Sequence, residues 1–119
     1  MGKLLIILGK PPFHYELVGH CFQLARAAVE EGHQVSIFLF MDGVYNLLNT
    51  QSGDIFKVKT AHEEINDLIE LGVKVTCCKL CTELRGVTWQ LKSEKVKVTG
   101  IGELNDEFMD ADAVLSFMR

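Results

Sequence analysis

The chain has 119 residues, of which 48% are hydrophobic and 24% are charged, and its formal net charge is −4. This size and composition are typical of one globular domain, so we expect a single domain over residues 1–119. This mild acidity argues against nucleic acids and anionic membranes as partners, because both favour clustered Lys and Arg. No apolar run reaches the ~20 residues of a membrane span, so no spanning segment is expected.

Apolar runs and turn residues alternate along the first half of the chain. Residues 4–8 (LLIIL) form a run typical of a parallel strand buried on both faces, and Pro11 and Pro12 end it. No small-residue cleavage site follows, so we interpret this run as a strand of a cytoplasmic protein rather than a signal peptide. A helix is predicted over residues 14–31, with Cys21 in its apolar core stripe, and a second buried strand over residues 35–41.

The second half continues the alternation. Asp42 is predicted to cap a short helix over residues 44–48, and residues 49–60 are predicted to form a loop before a helix over residues 61–71. The third strand is expected over residues 73–77 and a short helix over residues 79–84, whereas residues 88–93 carry no clear pattern. The remaining pattern predicts a half-exposed strand over residues 95–99, a helix over residues 103–109 and a last strand over residues 113–117.

Five alternations of strand and helix predict the fold class. They indicate an α/β domain with a three-layer, flavodoxin-like architecture, in which helices cover both faces of a five-stranded parallel sheet. Among the common strand orders, a short chain with five strands favours 2-1-3-4-5. In that order residues 9–14 and 77–81 border the crevice at the carboxyl ends of the strands, where such folds bind ligands.

Three of the four cysteines fall at the end of the third predicted strand. Strand parity places Cys77 in a row of valines, which indicates a packed core thiol. Cys78 comes between the strand and the short helix, where free N–H groups and the helix dipole favour a thiolate. Cys81 lies three residues on, on the same side of the helix, so we predict that Cys78 is the reactive sulfur and that Cys81 assists or resolves it.

Four further side chains are predicted to support these thiols. Lys79 and Arg85 add positive charge on the short helix, and Lys10 and His14 lie across the predicted crevice. Two alternatives remain open at this point. The thiols could be small apolar residues of a crowded turn, or they could bind zinc or an iron–sulfur cluster together with His14. No glycine motif for phosphate is present, and no cofactor or metal is expected.

Several short motifs together resemble a known family. They are an apolar first strand with a Gly-Pro turn, FMDGVYN over residues 40–46, GV at residues 72–73, LRGV over residues 84–87 and GIGEL over residues 100–104. In order and spacing they resemble the DsrE/DsrF-like sulfur-relay proteins, including the TusD type of sulfurtransferase subunit. The resemblance implies a flavodoxin-like fold and assembly into trimers or hexamers, with copies of the same chain or with paralogues. It also implies a persulfide on the cysteine that follows the third strand, which is Cys78 here, whereas many relatives lack Cys77 and Cys81.

The expected function is that of a sulfur carrier or sulfurtransferase. Cys78 would accept the outer sulfur of a donor protein's persulfide and pass it to a thiolate on an acceptor protein, without a cofactor. Two alternatives are a non-catalytic oligomeric interaction module and a dithiol redox protein that uses Cys78 and Cys81.

Overall fold

The computed structural model of the protein describes residues 2–13, 16–88 and 95–118. The strands are β1 (Lys3–Leu8), β2 (Gln34–Leu39), β3 (Lys74–Cys78), β4 (Lys97–Thr99) and β5 (Ala113–Phe117). The α-helices are α1 (Leu17–Glu30), α2 (Ala61–Glu70), α3 (Lys79–Leu84) and α4 (Ile101–Asp110), and 3-10 helices cover Met41–Leu47 and Asp54–Phe56. The predicted alternation is therefore confirmed, while residues 89–93 of the stretch without a clear pattern lie outside the described residues.

The five strands form one parallel sheet in the order β4-β3-β2-β1-β5. The α/β class and the five-stranded parallel sheet are confirmed, but the strand order differs from the predicted 2-1-3-4-5. The neighbour of β3 is β2 rather than β1, and β5 pairs with β1 instead of β4. The physical reason is burial, because the carboxyl-terminal half of β2, residues 37–39, is apolar and buried on both faces and is shielded by a strand on each side.

The observed strand order separates the end of β1 from the cysteines at the end of β3, which the predicted order placed side by side. The switch point of the sheet therefore lies between β1 and β5, and not between β1 and β3. A Cβ at Gly9, the residue after β1, would overlap the side chain of Met118, so that side chain fills the space between the ends of β1 and β5. The predicted crevice between residues 9–14 and 77–81 is therefore not formed by adjacent strands.

The helices divide between the two faces of the sheet. Helices α1 and α2 connect strands that advance across the sheet in one direction, so right-handed crossovers place both on the same face. Helix α4 returns from β4 to β5 and lies on the opposite face, where strand register also places Cys78 and Thr99. All ten residues of α4 are described and none is buried, and ion pairs join it to three strands that it crosses: Lys97–Glu103, Lys74–Glu107 and Lys3–Asp110.

Candidate functional site

Cys78 lies at the junction that the sequence indicated. It is the last residue of β3 and the residue directly before α3, in an extended conformation with φ −76° and ψ 124°. Its neighbour Cys77 points to the opposite face of the sheet and is fully buried, as strand parity predicted. Only 4% of Cys78 is exposed, so the residue is buried at the end of the strand.

Cys81 lies beside Cys78 and is held by the end of β2. The Met41 N–H donates a hydrogen bond to Cys81 Sγ over 3.2 Å, and the Cys81 and Cys78 side chains are hydrogen-bonded to each other. Met41 has a φ of +51°, in the left-handed region, which is unusual for a residue with a side chain. Two residues later a Cβ at Gly43 would overlap the Leu8 carbonyl oxygen, so this turn is pressed against β1 and its course is fixed.

The surroundings of Cys81 keep it protonated at neutral pH. Burial raises the pKa of the Cys81 thiol above its ordinary value of 9.0, and the hydrogen bond with Cys78 raises it further. The Met41 N–H and the charge of Arg85 act on this pKa in the opposite direction and are outweighed. Cys81 is therefore the protonated member of its surroundings at neutral pH.

Arg85 brings positive charge to Cys81, and the carboxylate of Asp42 holds the Arg85 side chain in place. The Arg85 Nε donates to Asp42 Oδ1 over 2.8 Å, and this carboxylate raises the pKa of Arg85. Asp42 was predicted to cap a helix, but the 3-10 helix Met41–Leu47 begins one residue earlier, after Phe40. The pair spans 43 residues of sequence, so no local pattern could have indicated it.

The other predicted supporting residues differ in position. Lys79 is exposed on the first turn of α3, next to Cys78 in the chain. Lys10 follows β1, where its carbonyl oxygen accepts a hydrogen bond of 2.9 Å from Asn46 Nδ2, and β2 separates it from β3. His14 lies outside the described residues. Cys21 is buried in α1, and burial raises the pKa of its thiol to about 12, which fits the predicted core role.

Thr99 is a further residue that the sequence did not single out. It ends β4, and its Cα is the register partner of the Cys78 Cα. Thr99 is 5% exposed, and its hydroxyl has no hydrogen-bond partner in the described part of the chain. The strand pairing that would have identified Thr99 is a long-range feature, which local sequence patterns do not contain.

Two kinds of feature are absent from the described part of the chain, a metal site and a membrane-spanning helix. Over residues 2–13, 16–88 and 95–118, no three His, Cys, Asp or Glu side chains are grouped so that they could hold a metal ion. Within the same ranges, none of the helices has both the length and the apolar character needed to cross a bilayer. The alternative of zinc or an iron–sulfur cluster required His14, which is not among the described residues.

Sequence comparison relates nearly the whole chain to one family. The profile of the DsrE/DsrF-like family matches residues 2–117. An uncharacterized protein of Methanopyrus kandleri is 27% identical over 114 residues, which cover 96% of this chain and 93% of that protein. An uncharacterized protein of Methanocaldococcus jannaschii is 29% identical over 115 residues, which cover 97% of this chain and 99% of that protein.

Structure comparison gives the same relationship. The crystal structure of the YchN protein from E. coli superposes with a TM-score of 0.88 at 27% identity, covering 98% of this chain and all of the YchN chain. A protein of unknown function from Methanobacterium thermoautotrophicum superposes with a TM-score of 0.77 at 13% identity, covering 98% of this chain and 99% of the other, and shares the fold.

Proposed function

The chain belongs to the DsrE/DsrF-like family, which is generally tied to sulfur relay, and we propose that it carries sulfane sulfur as a persulfide on Cys78. In this proposal the protein takes sulfur from a donor protein and passes it to an acceptor protein. The observation that carries the proposal is the pair of hydrogen-bonded thiols, Cys78 and Cys81, at the end of β3.

The proposed reaction consists of two thiol exchanges. The Cys78 thiolate attacks the outer sulfur of the donor's persulfide, so that a new S–S bond forms on Cys78 while the donor's S–S bond breaks and its thiolate leaves. A thiolate of the acceptor then attacks the same outer sulfur and releases the Cys78 thiolate. The electrons balance without a cofactor, because each step replaces one S–S bond with another.

Cys81 and Arg85 support the anionic forms of Cys78 in this scheme. In the proposal the protonated Cys81 thiol donates a hydrogen bond to Cys78 once Cys78 is a thiolate, because hydrogen bonds to ionised acceptors are the stronger ones. The Arg85 guanidinium adds positive charge on the Cys81 side, although Asp42 offsets part of it. Lys79 supplies further charge at the surface. Lys10 follows β1, and β2 lies between β1 and β3, so we do not assign Lys10 a direct role at Cys78.

Sulfur loading of matched cysteine variants tests the proposal. The wild type, Cys78→Ser, Cys81→Ser and Cys21→Ser are incubated with a small-molecule persulfide donor, and the intact mass of each protein is measured. We expect the wild type and Cys21→Ser to gain one sulfur atom and Cys78→Ser to gain none, while Cys81→Ser loads more slowly. A Cys78→Ser protein that loads as well as the wild type would remove Cys78 from the carrier role.

The hydrogen bond between the two thiols also favours a second candidate function, a dithiol redox protein that uses Cys78 and Cys81. This candidate predicts a reversible disulfide in equilibrium with mixtures of reduced and oxidised glutathione. If oxidation never links Cys78 with Cys81, the redox candidate fails. We place the sulfur relay in the cytoplasm, whose reducing conditions keep cysteine thiols available for exchange.

We also propose that the chain assembles into a trimer or hexamer, either with itself or with paralogous chains. Several large apolar side chains are exposed on the described surface, and some of them gather into patches. Leu80 and Leu84 are 64% and 74% exposed on α3, beside the two thiols. Phe13, Phe56 and Val58 line a second apolar surface, an open cavity of about 360 Å³.

A non-catalytic interaction module would use these surfaces alone, and its partner binding would survive Cys78→Ala.

A further inference from the structure

The buried hydroxyl of Thr99 has no structural use in the described part of the protein. Thr99 is 5% exposed, and Oγ1 has no hydrogen-bond partner there. Burying an unpaired hydroxyl costs stability, whereas a valine of nearly the same shape would occupy a strand position at no such cost. The polar atom at this position therefore calls for a partner that the described residues do not supply.

The position of Thr99 identifies where that partner would lie. Thr99 and Cys78 are register partners on adjacent parallel strands, whose axes lie about 4.8 Å apart. Paired residues of a parallel sheet point to the same face, so the hydroxyl and the sulfur lie side by side. Cys81 and Met41 approach Cys78 from the β2 side, and Thr99 borders it on the β4 side.

We propose that the Thr99 hydroxyl binds sulfane sulfur by donating a hydrogen bond to the outer sulfur of the Cys78 persulfide. This inference rests on the proposed function. The outer sulfur extends about 2.05 Å beyond Cys78 Sγ and carries the negative charge of the persulfide. Hydrogen bonds to ionised groups are shorter and stronger than neutral ones, so the unpaired hydroxyl gains a partner when sulfur is loaded.

The start of α4 adds to the same environment. The helix begins two residues after Thr99 over the same face of the sheet, and its N-cap, Gly100, provides no side-chain cap. Its first N–H groups therefore contribute positive potential next to the persulfide. Thr99 is in this account a sulfur-binding residue that stabilises the loaded state and lowers the pKa of the persulfide.

The test compares Thr99→Val with two matched variants. Thr99→Ser keeps the hydroxyl, and Thr76→Val removes a hydroxyl from a buried residue on the same face, two positions before Cys78 on β3. Each protein is loaded with a small-molecule persulfide donor and freed of excess donor. The sulfur left on Cys78 is then followed by mass spectrometry, and its release to cyanide as thiocyanate is measured across a range of pH.

For Thr99→Val we expect the persulfide lifetime to fall at least about tenfold, and the pH midpoint of sulfur release to rise. Its melting temperature should equal or exceed that of the wild type, because no buried hydroxyl remains unpaired. Thr99→Ser and Thr76→Val should keep the persulfide for about as long as the wild type.

Three outcomes would overturn the inference. If the wild type loads at Cys78 and Thr99→Val has the wild-type persulfide lifetime and pH midpoint, the inference about Thr99 is overturned while the proposed function stands. A lowered melting temperature of Thr99→Val would overturn it by showing that the hydroxyl serves the fold. A wild type that takes no sulfur on Cys78 would overturn both this inference and the proposed function.

Discussion

Adjacent cysteines at the end of β3 have different chemical surroundings because a strand turns its side chains to alternate faces. Cys77 points to the α1 and α2 side and is fully buried, while Cys78 points to the side that α4 covers. Cys81, one turn into α3, accepts a hydrogen bond from the Met41 N–H, and burial together with its hydrogen bond to Cys78 raises its pKa. These surroundings keep Cys81 a thiol at neutral pH.

The raised pKa of Cys81 gives a prediction at this scale. Alkylation of Cys81 by iodoacetamide should reach half its maximal rate above pH 9, because burial and the hydrogen bond with Cys78 both favour the thiol. Replacing Cys78 by alanine removes the hydrogen bond, so the midpoint in Cys78→Ala should lie below that of the wild type. The rate at each pH is measured from the mass of the peptide that carries Cys81.

The control for this measurement is Cys21→Ala, which changes a buried thiol of α1 and should leave the Cys81 midpoint where it is in the wild type. An unchanged or higher midpoint in Cys78→Ala would contradict the assigned hydrogen bond.

The roles of individual residues could be predicted from the sequence only where they depend on local geometry. Strand parity and the C-x-x-C spacing distinguish Cys77 from Cys78 and place Cys81 beside Cys78. The contacts of Met41, Asp42 and Thr99 depend on which strands are neighbours, and the residues concerned are separated by at least 21 positions. No periodic pattern in one segment carries that information.

At the scale of elements, α2 shows how a short sequence signal fixes a helix. The Thr60 hydroxyl accepts a hydrogen bond from the Glu63 N–H over 3.2 Å, and the Glu63 carboxylate accepts one from the Thr60 N–H over 3.1 Å. This capping box satisfies donors that the helix itself leaves free. The backbone and side-chain hydrogen bonds from Thr60 lower the pKa of Glu63.

We predict that Thr60→Ala lowers the free energy of unfolding by about 1 kcal/mol at neutral pH, because the cap is lost. The part that depends on the Glu63 carboxylate is present above its unfolded pKa near 4.5 and is lost as pH falls through the lowered pKa. The difference between variant and wild type should therefore shrink in acid. Urea denaturation measures both values.

Thr50→Ala, at an exposed position before α2, is the control and should leave the free energy of unfolding unchanged. Equal destabilisation by Thr60→Ala at neutral and strongly acidic pH would contradict the role of the Glu63 carboxylate.

At the scale of the whole molecule, the sequence predicted the elements but not their order across the sheet. Hydrophobic runs and turn residues determine where strands and helices form, and both strand orders satisfy right-handed crossovers. One signal did favour the observed order. The apolar residues of β2 require a central position, and the alternating KVKVT over residues 95–99 requires an edge, which is where β4 lies. The order 2-1-3-4-5 would have exposed β2 instead.

The exposed apolar surface leads to a prediction about assembly. Light scattering should give the mass of a trimer or a hexamer of 13.3 kDa chains. Phe56 is 79% exposed and lines the apolar cavity with Phe13 and Val58, so Phe56→Asp should lower the measured mass. Leu24→Asp, on the half-exposed side of α1, is the control. A wild type that stays at 13.3 kDa at high concentration would contradict the proposed assembly.

Peptide mapping of the sulfur-loaded wild type tests the central claim most directly. Trypsin cleavage after Lys74, Lys79 and Arg85 separates residues 75–79, which hold Cys77 and Cys78, from residues 80–85, which hold Cys81. We predict that the added sulfur lies on the first peptide, that fragment ions assign it to Cys78, and that Cys78→Ser abolishes it. Sulfur on Cys81 or Cys77, or a protein that takes up no sulfur, would contradict the account.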